Sequence, residues 1–224
     1  MIVVIHTYCA FDYQKILMQR FKRMRISGLL EATDKILIPV ASSQSESDQK
    51  FFEEFKKLSP KIEIFELAPI VIKNECDTLN WLKEYVKTIP NQPILYTHTK
   101  GVTQTHPIVK RNVELWNKYL DYWCIWLWEK CVNALKEFDT AGGMFACNGC
   151  PGHYQGNHYW FNSEFLNTLP KIDHELHKSI NRGEFWISCN KNLKAFDVNT
   201  IRFPLNHDFY MHHYIAPETF PQGF

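Results

Sequence analysis

Strand-like and helix-like segments alternate along the first hundred residues, and this alternation constrains the fold more than any other feature. Three helix-like segments run from Tyr13 to Leu30, through SDQKFFEEFKKL, where a serine or aspartate caps the start, and from about Asp77 to Lys87. Four apolar runs typical of buried strands flank them: IVVIHTY, KILIPVA, KIEIFELA and PILYTHT. Strands separated by helices favour a parallel sheet. We therefore predict an α/β fold with a central, mostly parallel mixed sheet flanked by helices.

The second half of the chain has a different pattern. A helix is predicted from about Asn112 to Phe138, with a stripe rich in tryptophan that includes Trp116 and Trp123. Aromatic rings at helical spacing are typical of core residues, although they could also form a sugar-binding platform. No repeat or linker divides the 224 residues, so we predict a single domain spanning 1–224.

Composition excludes several classes of protein. Lys and Arg number 25 against 24 Asp and Glu, so no general attraction to nucleic acid or an acidic membrane is expected. No apolar stretch approaches the roughly 20 residues of a membrane-spanning helix, and the start MIVVIHTY lacks the features of a signal peptide. Seven scattered cysteines and the lack of an Asn-x-Ser/Thr acceptor favour a reducing compartment. We expect a cytoplasmic protein, in the host cytoplasm if the chain is viral.

The segment THTKG, residues 97–101, follows the fourth predicted strand. In parallel sheets, ligands bind outside the carboxyl ends of the strands, where Thr7, Tyr8 and this segment would gather. A lysine cation and threonine hydroxyls can neutralise and hydrogen-bond a diphosphate, and Gly101 lets backbone amides approach its oxygens. A plain strand end with a solvated lysine is the alternative.

Three segments together carry a resemblance to a known family. ILYTHTKG, GHYQGNHYWF and EFWIS occur in this order, with the tryptophan-rich helix between the first two. This pattern resembles that of small GT-A-type glycosyltransferases, such as those of large algal (chlorella) viruses and bacterial polysaccharide gene clusters. Their segments are a strand ending in His-Ser/Thr-Lys-Gly, then His-x-x-Gly-Asn-aromatic-Trp, then Glu-x-Trp-Ile. The match spans roughly Ile2 to Ile187.

The resemblance implies a GT-A (Rossmann-like) fold, a nucleotide-sugar donor that is most simply UDP-linked, and a glycan or glycoprotein acceptor. Residues 1–105 would bind the donor and residues 106–224 the acceptor. The donor-binding residues would be Thr7, Tyr8, Glu75, Asp77, Thr97, His98, Thr99, Lys100 and Gly101. GT-A enzymes commonly hold a divalent cation with Asp-x-Asp at the end of the fourth strand, where this chain has His98, Thr99 and Lys100.

Candidate metal ligands are therefore few. Glu75 and Asp77 could together hold a hydrated Mn²⁺ or Mg²⁺, with His207 as a further ligand, although Asp77 could instead cap a helix. Asp208, His212 and His213 have ligand chemistry too, but a histidine-rich tail is commonly structural. Cys147 and Cys150, with His153, have zinc-like spacing but lack a second pair.

The glycine-rich aromatic segment is predicted to form the acceptor side. Aromatic faces can stack on sugar C–H groups while an amide binds hydroxyls, and the acceptor-binding candidates are Tyr154, Asn157, Tyr159, Trp160 and Trp186. Glycosyl transfer needs a base or a stabiliser of positive charge, for which the catalytic candidates are Glu184, Asp77 and His153. Glu184 could also be a helix cap.

Two other functions stay open at the sequence level. A sugar-phosphate nucleotidyltransferase also uses an α/β nucleotide fold, but it would need a glycine-rich, basic phosphate loop near the first strand. The segment at that place, HTYCAFDY, has neither glycine nor a basic cluster. A protein that binds carbohydrate or nucleotide sugar without turnover is the non-enzymatic alternative.

Overall fold

A seven-stranded mixed sheet forms the centre of the protein. The computed structural model describes residues 1–41, 45–66, 75–146, 151–173, 182–199 and 220. Within these residues the strands are β1 (Ile2–Tyr8), β2 (Lys35–Ala41), β3 (Ile62–Glu66), β4 (Pro93–His98), β5 (Thr140–Gly142), β6 (Phe145–Ala146), β7 (His153–Tyr154), β8 (Tyr159–Asn162) and β9 (Ala195–Asp197). The order in the large sheet is β3-β2-β1-β4-β8-β5-β9, and β6 pairs with β7.

The strand directions confirm the predicted mostly parallel mixed sheet. β1 pairs in parallel with β2 and β4, and β2 pairs in parallel with β3. β8 lies antiparallel between β4 and β5, and β9 returns to a parallel pairing with β5. β8 therefore begins at the sheet edge where β4 ends, which brings the segment before β8 to the carboxyl ends of β1 and β4.

The helices in the described residues cover both faces of the sheet. They are α1 (Tyr13–Ile26), α2 (Leu29–Ala32), α3 (Glu46–Lys56), α4 (Glu75–Tyr85), α5 (Pro107–Asp121), α6 (Trp128–Ala134) and α7 (Arg182–Phe185). Turns of 3₁₀ helix occupy Val86–Thr88, Ser163–Thr168 and Trp186–Cys189. None of these helices has the length and apolar character needed to cross a membrane.

Two predicted helices are interrupted. The helix predicted from Tyr13 to Leu30 ends at Ile26, because Gly28 adopts φ 77° and starts a new short helix. The helix predicted from Asn112 to Phe138 starts earlier, at Pro107, and a π-helical turn over Tyr122–Trp126 separates α5 from α6. The helix predicted over SDQKFFEEFKKL is confirmed as α3, but it starts slightly earlier, at Glu46, and its cap is Ser45, which forms a capping box with Asp48.

The core lies on both faces of the sheet. Alternate residues of β1 point to opposite faces, so Val3 and Ile5 pack with α1, α3 and α5, whereas Ile2 and Val4 pack with α4 and the turn after β8. The tryptophan stripe joins the first of these layers, because Trp116 and Trp123 are buried there. The interpretation of the stripe as core is thus confirmed.

Candidate active site

Thr99 links the carboxyl ends of β1 and β4 through hydrogen bonds. Its N–H donates to His6 O at 3.0 Å, and its Oγ1 accepts from the N–H of Tyr8 at 3.0 Å. The other threonine hydroxyls are also used within the protein: Thr7 donates to Ile5 O, and Thr97 accepts from Arg20. These side chains are all buried. The three hydroxyls that we predicted for donor binding therefore hold the strand ends in place.

Glu75, the first residue of α4, places its carboxylate at this edge of the sheet. Glu75 Oε1 accepts hydrogen bonds from Asn157 Nδ2 at 2.7 Å and Tyr96 OH at 2.9 Å, and His98 Nδ1 lies 3.0 Å away. Burial alone would raise the pKa of Glu75, but its electrostatic interaction and hydrogen bond with His98, with smaller contributions from His6 and Asn157, lower it to about 2. Glu75 is therefore an anion at neutral pH, held in one orientation by three donors.

Three polar atoms near Glu75 have no hydrogen-bond partner in the part of the chain that the structure describes. They are His98 Nε2, Asn157 Oδ1 and Tyr159 OH. Buried polar atoms are normally paired with protein or water. A buried water molecule could satisfy each of these atoms.

Lys100 and Glu184 form the second part of the site. Lys100 Nζ donates to Glu184 Oε1 at 3.1 Å, and the N–H of Gly156 donates to the same oxygen at 3.3 Å. The Lys100 ammonium also lies 4.6 Å from the centre of the Trp116 ring. Both charged side chains are mostly buried, with 12% and 18% of their surface exposed. The structure thus brings together the residue that we predicted for phosphate binding and the one that we predicted for catalysis.

Gly101 has a packing role as well as a backbone one. Its φ is 73°, and a Cβ at this position would lie 2.3 Å from Val113 Cγ1 on α5. Only glycine fits this turn, and the close approach fixes the position of the preceding Lys100.

Sequence reasoning missed a buried arginine behind the site. Arg20 of α1 has no exposed surface, and each of its five N–H groups has an acceptor. The acceptors are Asp121 Oδ1 (2.8 Å), Thr97 Oγ1 (3.2 Å), His98 O (2.9 Å), Asn117 Oδ1 (3.3 Å) and His158 Nε2 (3.0 Å). Arg20 therefore joins α1, β4, α5 and the segment before β8 at the edge that carries the site.

Two buried histidines were also missed, and both are neutral. His158 Nδ1 lies 2.7 Å from Gly156 O, so this nitrogen carries the proton and Nε2 is free to accept from Arg20. Burial and the neighbouring Arg20 charge hold the pKa of His158 well below its usual value. His6 Nδ1 lies 2.8 Å from Thr78 Oγ1, and burial lowers the pKa of His6 to about 4.

The predicted acceptor platform needs correction. Tyr154, Tyr159 and Trp160 have no exposed surface, and Trp186 is buried with its indole N–H donating to Pro170 O at 2.8 Å. These rings fill the core because β7, β8 and the turn after α7 pack against the sheet. Stacking of a sugar on them does not fit the structure. Asn157 is also buried, but it contacts Glu75 within the site.

The remaining catalytic candidates are His153 and Asp77. His153 is buried against Phe185, with its Nδ1 3.0 Å from Pro151 O. Asp77 is half-buried in the first turn of α4, where a carboxylate also stabilises the helix. Residues two apart on a helix point in different directions, so Asp77 and Glu75 do not share a face. His207, Asp208, His212, His213, Cys147 and Cys150 lie outside the described residues.

The described residues give no group of three metal-ligating side chains. Lys100 places a cation at this edge, and Glu75 Oε1 already accepts three donors. The side chains that the structure describes therefore do not fit a divalent cation.

Comparisons with known proteins bear on the fold. No protein-family model and no curated protein matches the chain. Among solved structures, the galactosyltransferase LgtC in complex with donor and acceptor sugar analogs aligns with a TM-score of 0.50 at 11% identity, over 89% of this chain and 74% of that one. The fold is GT-A-like. The resemblance to viral and bacterial enzymes in particular stays a prediction.

Two further structures align less well. A mannosyltransferase from Pyrobaculum calidifontis, in complex with GDP-Man and Mn²⁺, gives a TM-score of 0.48 at 8% identity, and 89% of this chain spans 55% of that enzyme. A 4-diphosphocytidyl-2C-methyl-D-erythritol synthase gives 0.43 at 10% identity, over 97% of this chain and 93% of that one. In the GT-A-like fold of this chain, Glu75, His98, Lys100 and Glu184 lie at the carboxyl edge of β1 and β4.

Proposed function

We propose that the protein is a glycosyltransferase that moves a sugar, a hexose or deoxyhexose, from a nucleotide-sugar donor to a glycan or glycoprotein acceptor. UDP is the first nucleotide to test. The observation that carries the proposal is the Lys100–Glu184 ion pair beside the Glu75–His98 pair, at the sheet edge where α/β proteins bind ligands. This edge holds a cation for phosphate and two carboxylates.

Each group has a role in the proposed reaction. The acceptor hydroxyl attacks the anomeric carbon, the bond from that carbon to the diphosphate breaks, and the nucleoside diphosphate leaves. Lys100 stabilises the negative charge of the leaving diphosphate. Glu184 accepts the proton of the hydroxyl or stabilises positive charge on the sugar ring. Glu75 holds His98 and Asn157 in place at this edge. Asp77 stays a candidate for contact with the ribose or base.

We propose that Lys100 takes the place of the divalent cation in neutralising the diphosphate. Its ammonium stands where the related family has carboxylates, and it would repel a cation bound there. Donor affinity measured in excess EDTA should therefore equal the affinity measured with Mn²⁺ or Mg²⁺. A large gain in donor affinity on addition of metal would contradict this part of the proposal. Glu75, Asp77 and His207 would then be the candidate metal ligands to test.

The cysteines bear on the location of the protein in the cell. Among the described residues, Cys124, Cys131 and Cys189 are free thiols. Free thiols persist in reducing compartments. We propose a cytoplasmic location, in the host if the chain is viral.

A panel of nucleotide sugars tests the function. A ligand present at a hundred times its dissociation constant stabilises a protein by about 2.7 kcal/mol, which a melting-temperature shift detects. We expect one UDP, GDP or TDP sugar to raise the melting temperature and to be slowly hydrolysed to free nucleotide. Binding without any release would support the non-enzymatic alternative, and no shift with any member of the panel would contradict the proposal.

A further inference from the structure

One oxygen of Glu184 occupies a position between two fixed donors. Lys100 Nζ and the N–H of Gly156 both point at Oε1, from turns at the ends of two neighbouring strands. An ammonium and a backbone N–H that converge on one point form a common anion-binding arrangement. In this protein the anion in that position is a side chain of the protein itself.

The two donors are held in place without Glu184. Gly156 has φ 85°, and a Cβ there would lie 2.8 Å from Leu120 on α5. Asn117, also on α5, donates to the carbonyl oxygen of Lys100 at 3.0 Å. Both turns are therefore anchored to α5, and the anion-binding position would remain if the carboxylate moved away.

Glu184 is the adjustable member of this arrangement. It reaches the donors through a long side chain with several rotatable bonds, and the four-residue helix that carries it has no interior turn. A rotamer change can withdraw its carboxylate without disturbing the two donors.

We propose that Lys100 Nζ and the Gly156 N–H form a phosphate-binding site that Glu184 fills in the free protein and that a diphosphate takes over. The identification of that diphosphate with the sugar donor rests on the proposed function. A diphosphate carries more negative charge than one carboxylate, so it can compete for the ammonium where a monophosphate competes less well. Displacement also releases the Glu184 carboxylate beside the bound phosphates, so donor binding prepares the carboxylate before the acceptor arrives.

Calorimetric titration of the full chain with inorganic pyrophosphate, in metal-free buffer, tests the competition. Glu184→Gln removes the competing charge, so it should bind pyrophosphate about tenfold more tightly than the wild type. Lys100→Ala should lose most of the affinity. In the Lys100→Ala background, Glu184→Gln should give less than about a twofold gain, because the shared donor is gone.

A matched control separates this effect from a general change in charge. Asp12 pairs with Lys110 at 2.6 Å, so Asp12→Asn also removes one carboxylate from a lysine pair. It should leave pyrophosphate affinity within about twofold of the wild type. If Glu184→Gln fails to fold, Glu184→Asp serves instead, because the shorter side chain competes less well and should also tighten binding.

The outcomes are distinct from those of the proposed function. If Glu184→Gln tightens pyrophosphate binding only when Lys100 is present, the phosphate-binding site is supported even if no nucleotide sugar binds. The proposed site is overturned if the Glu184 variants bind pyrophosphate no more tightly than the wild type. It is also overturned if Glu184→Gln gives the same gain in pyrophosphate affinity with and without Lys100, even if the protein proves to be a transferase.

Discussion

Single residues of the site differ in whether pairing or burial controls their charge. Glu75 stays ionised because three donors surround one oxygen, and these outweigh the effect of burial. His6 is buried with one neutral hydroxyl partner, so burial outweighs the attraction of Glu75 and the pKa of His6 falls to about 4.

The His6 pKa predicts a dependence of stability on pH. Because the unfolded chain binds the proton more tightly, with a pKa near 6.5, stability is full above this value and falls as the pH drops toward 4. Between pH 7 and 5, His6 should account for about 2 kcal/mol of the fall in unfolding free energy. His158, whose pKa is also lowered, adds to the fall.

Urea unfolding at pH 7 and pH 5 measures this difference. His6→Gln should show a clearly smaller fall than the wild type, whereas the same substitution at the exposed His106 should leave it unchanged. If the unfolding free energy of His6→Gln falls between pH 7 and pH 5 as much as that of the wild type, His6 does not titrate as proposed.

Glu184→Gln tests the catalytic role. The amide preserves the shape of the side chain, so donor affinity should not decrease. Turnover should fall by about 100-fold or more, because a positioned base or charge stabiliser acts mainly in the transition state. Near-normal turnover with a lower melting temperature would make Glu184 a structural residue.

The sequence indicated some of these residues and concealed others. Lys100 stood out because it lies in a short polar segment that ends in glycine, and Glu184 because it opens EFWIS, one of the three segments that carry the family resemblance. Arg20 did not, because an arginine on an amphipathic helix is usually solvated. A signal was nevertheless present: Arg20 lies on the same stripe as Leu17, Phe21 and Met24, all of which are buried.

Among the helices and strands, the contact between the turn after β4 and α5 positions Lys100. Gly101→Ala should be strongly destabilising, because it adds the strain of φ 73° to a collision with Val113. We expect a loss of at least about 3 kcal/mol of unfolding free energy, measured by chemical denaturation.

Gly28 offers a matched control for this contact. Its φ of 77° is nearly the same, but nothing lies within 4 Å of a Cβ built there. Gly28→Ala should cost only about 1 kcal/mol. In Gly101→Ala, a second change of Val113→Ala should recover part of the loss. Equal costs for the two glycines, or no recovery, would argue against the packing role of Gly101.

Strands were predicted more accurately than helix ends. β1 and β2 have the bounds of the apolar runs that predicted them, because a buried parallel strand is apolar throughout. The π-helical turn between α5 and α6 was not foreseen, because apolar residues continue through it at helical spacing. The short strands β6 and β7 lie in a glycine-rich segment without any periodic pattern.

At the level of the whole molecule, the alternating pattern predicted the parallel part of the sheet but not the position of β8. The second half has no regular alternation, so its strand order follows only from tertiary packing. The site depends on that packing, because Glu75 contacts Asn157 and Lys100 contacts Glu184 across more than 80 positions of sequence. These contacts join the predicted donor-binding and acceptor-binding halves, a division that stays a prediction.

The central claim is that Lys100 binds the diphosphate of a nucleotide-sugar donor, and Lys100→Ala tests it most directly. Calorimetry should compare UDP and uridine on the wild type and on this variant, with GDP and guanosine as the second pair. A charge-assisted contact to phosphate is worth roughly 1.5–3 kcal/mol, so UDP affinity should fall by about ten- to a hundredfold while uridine affinity stays unchanged. Equal losses for the diphosphate and the nucleoside, or no loss for either, would contradict the claim.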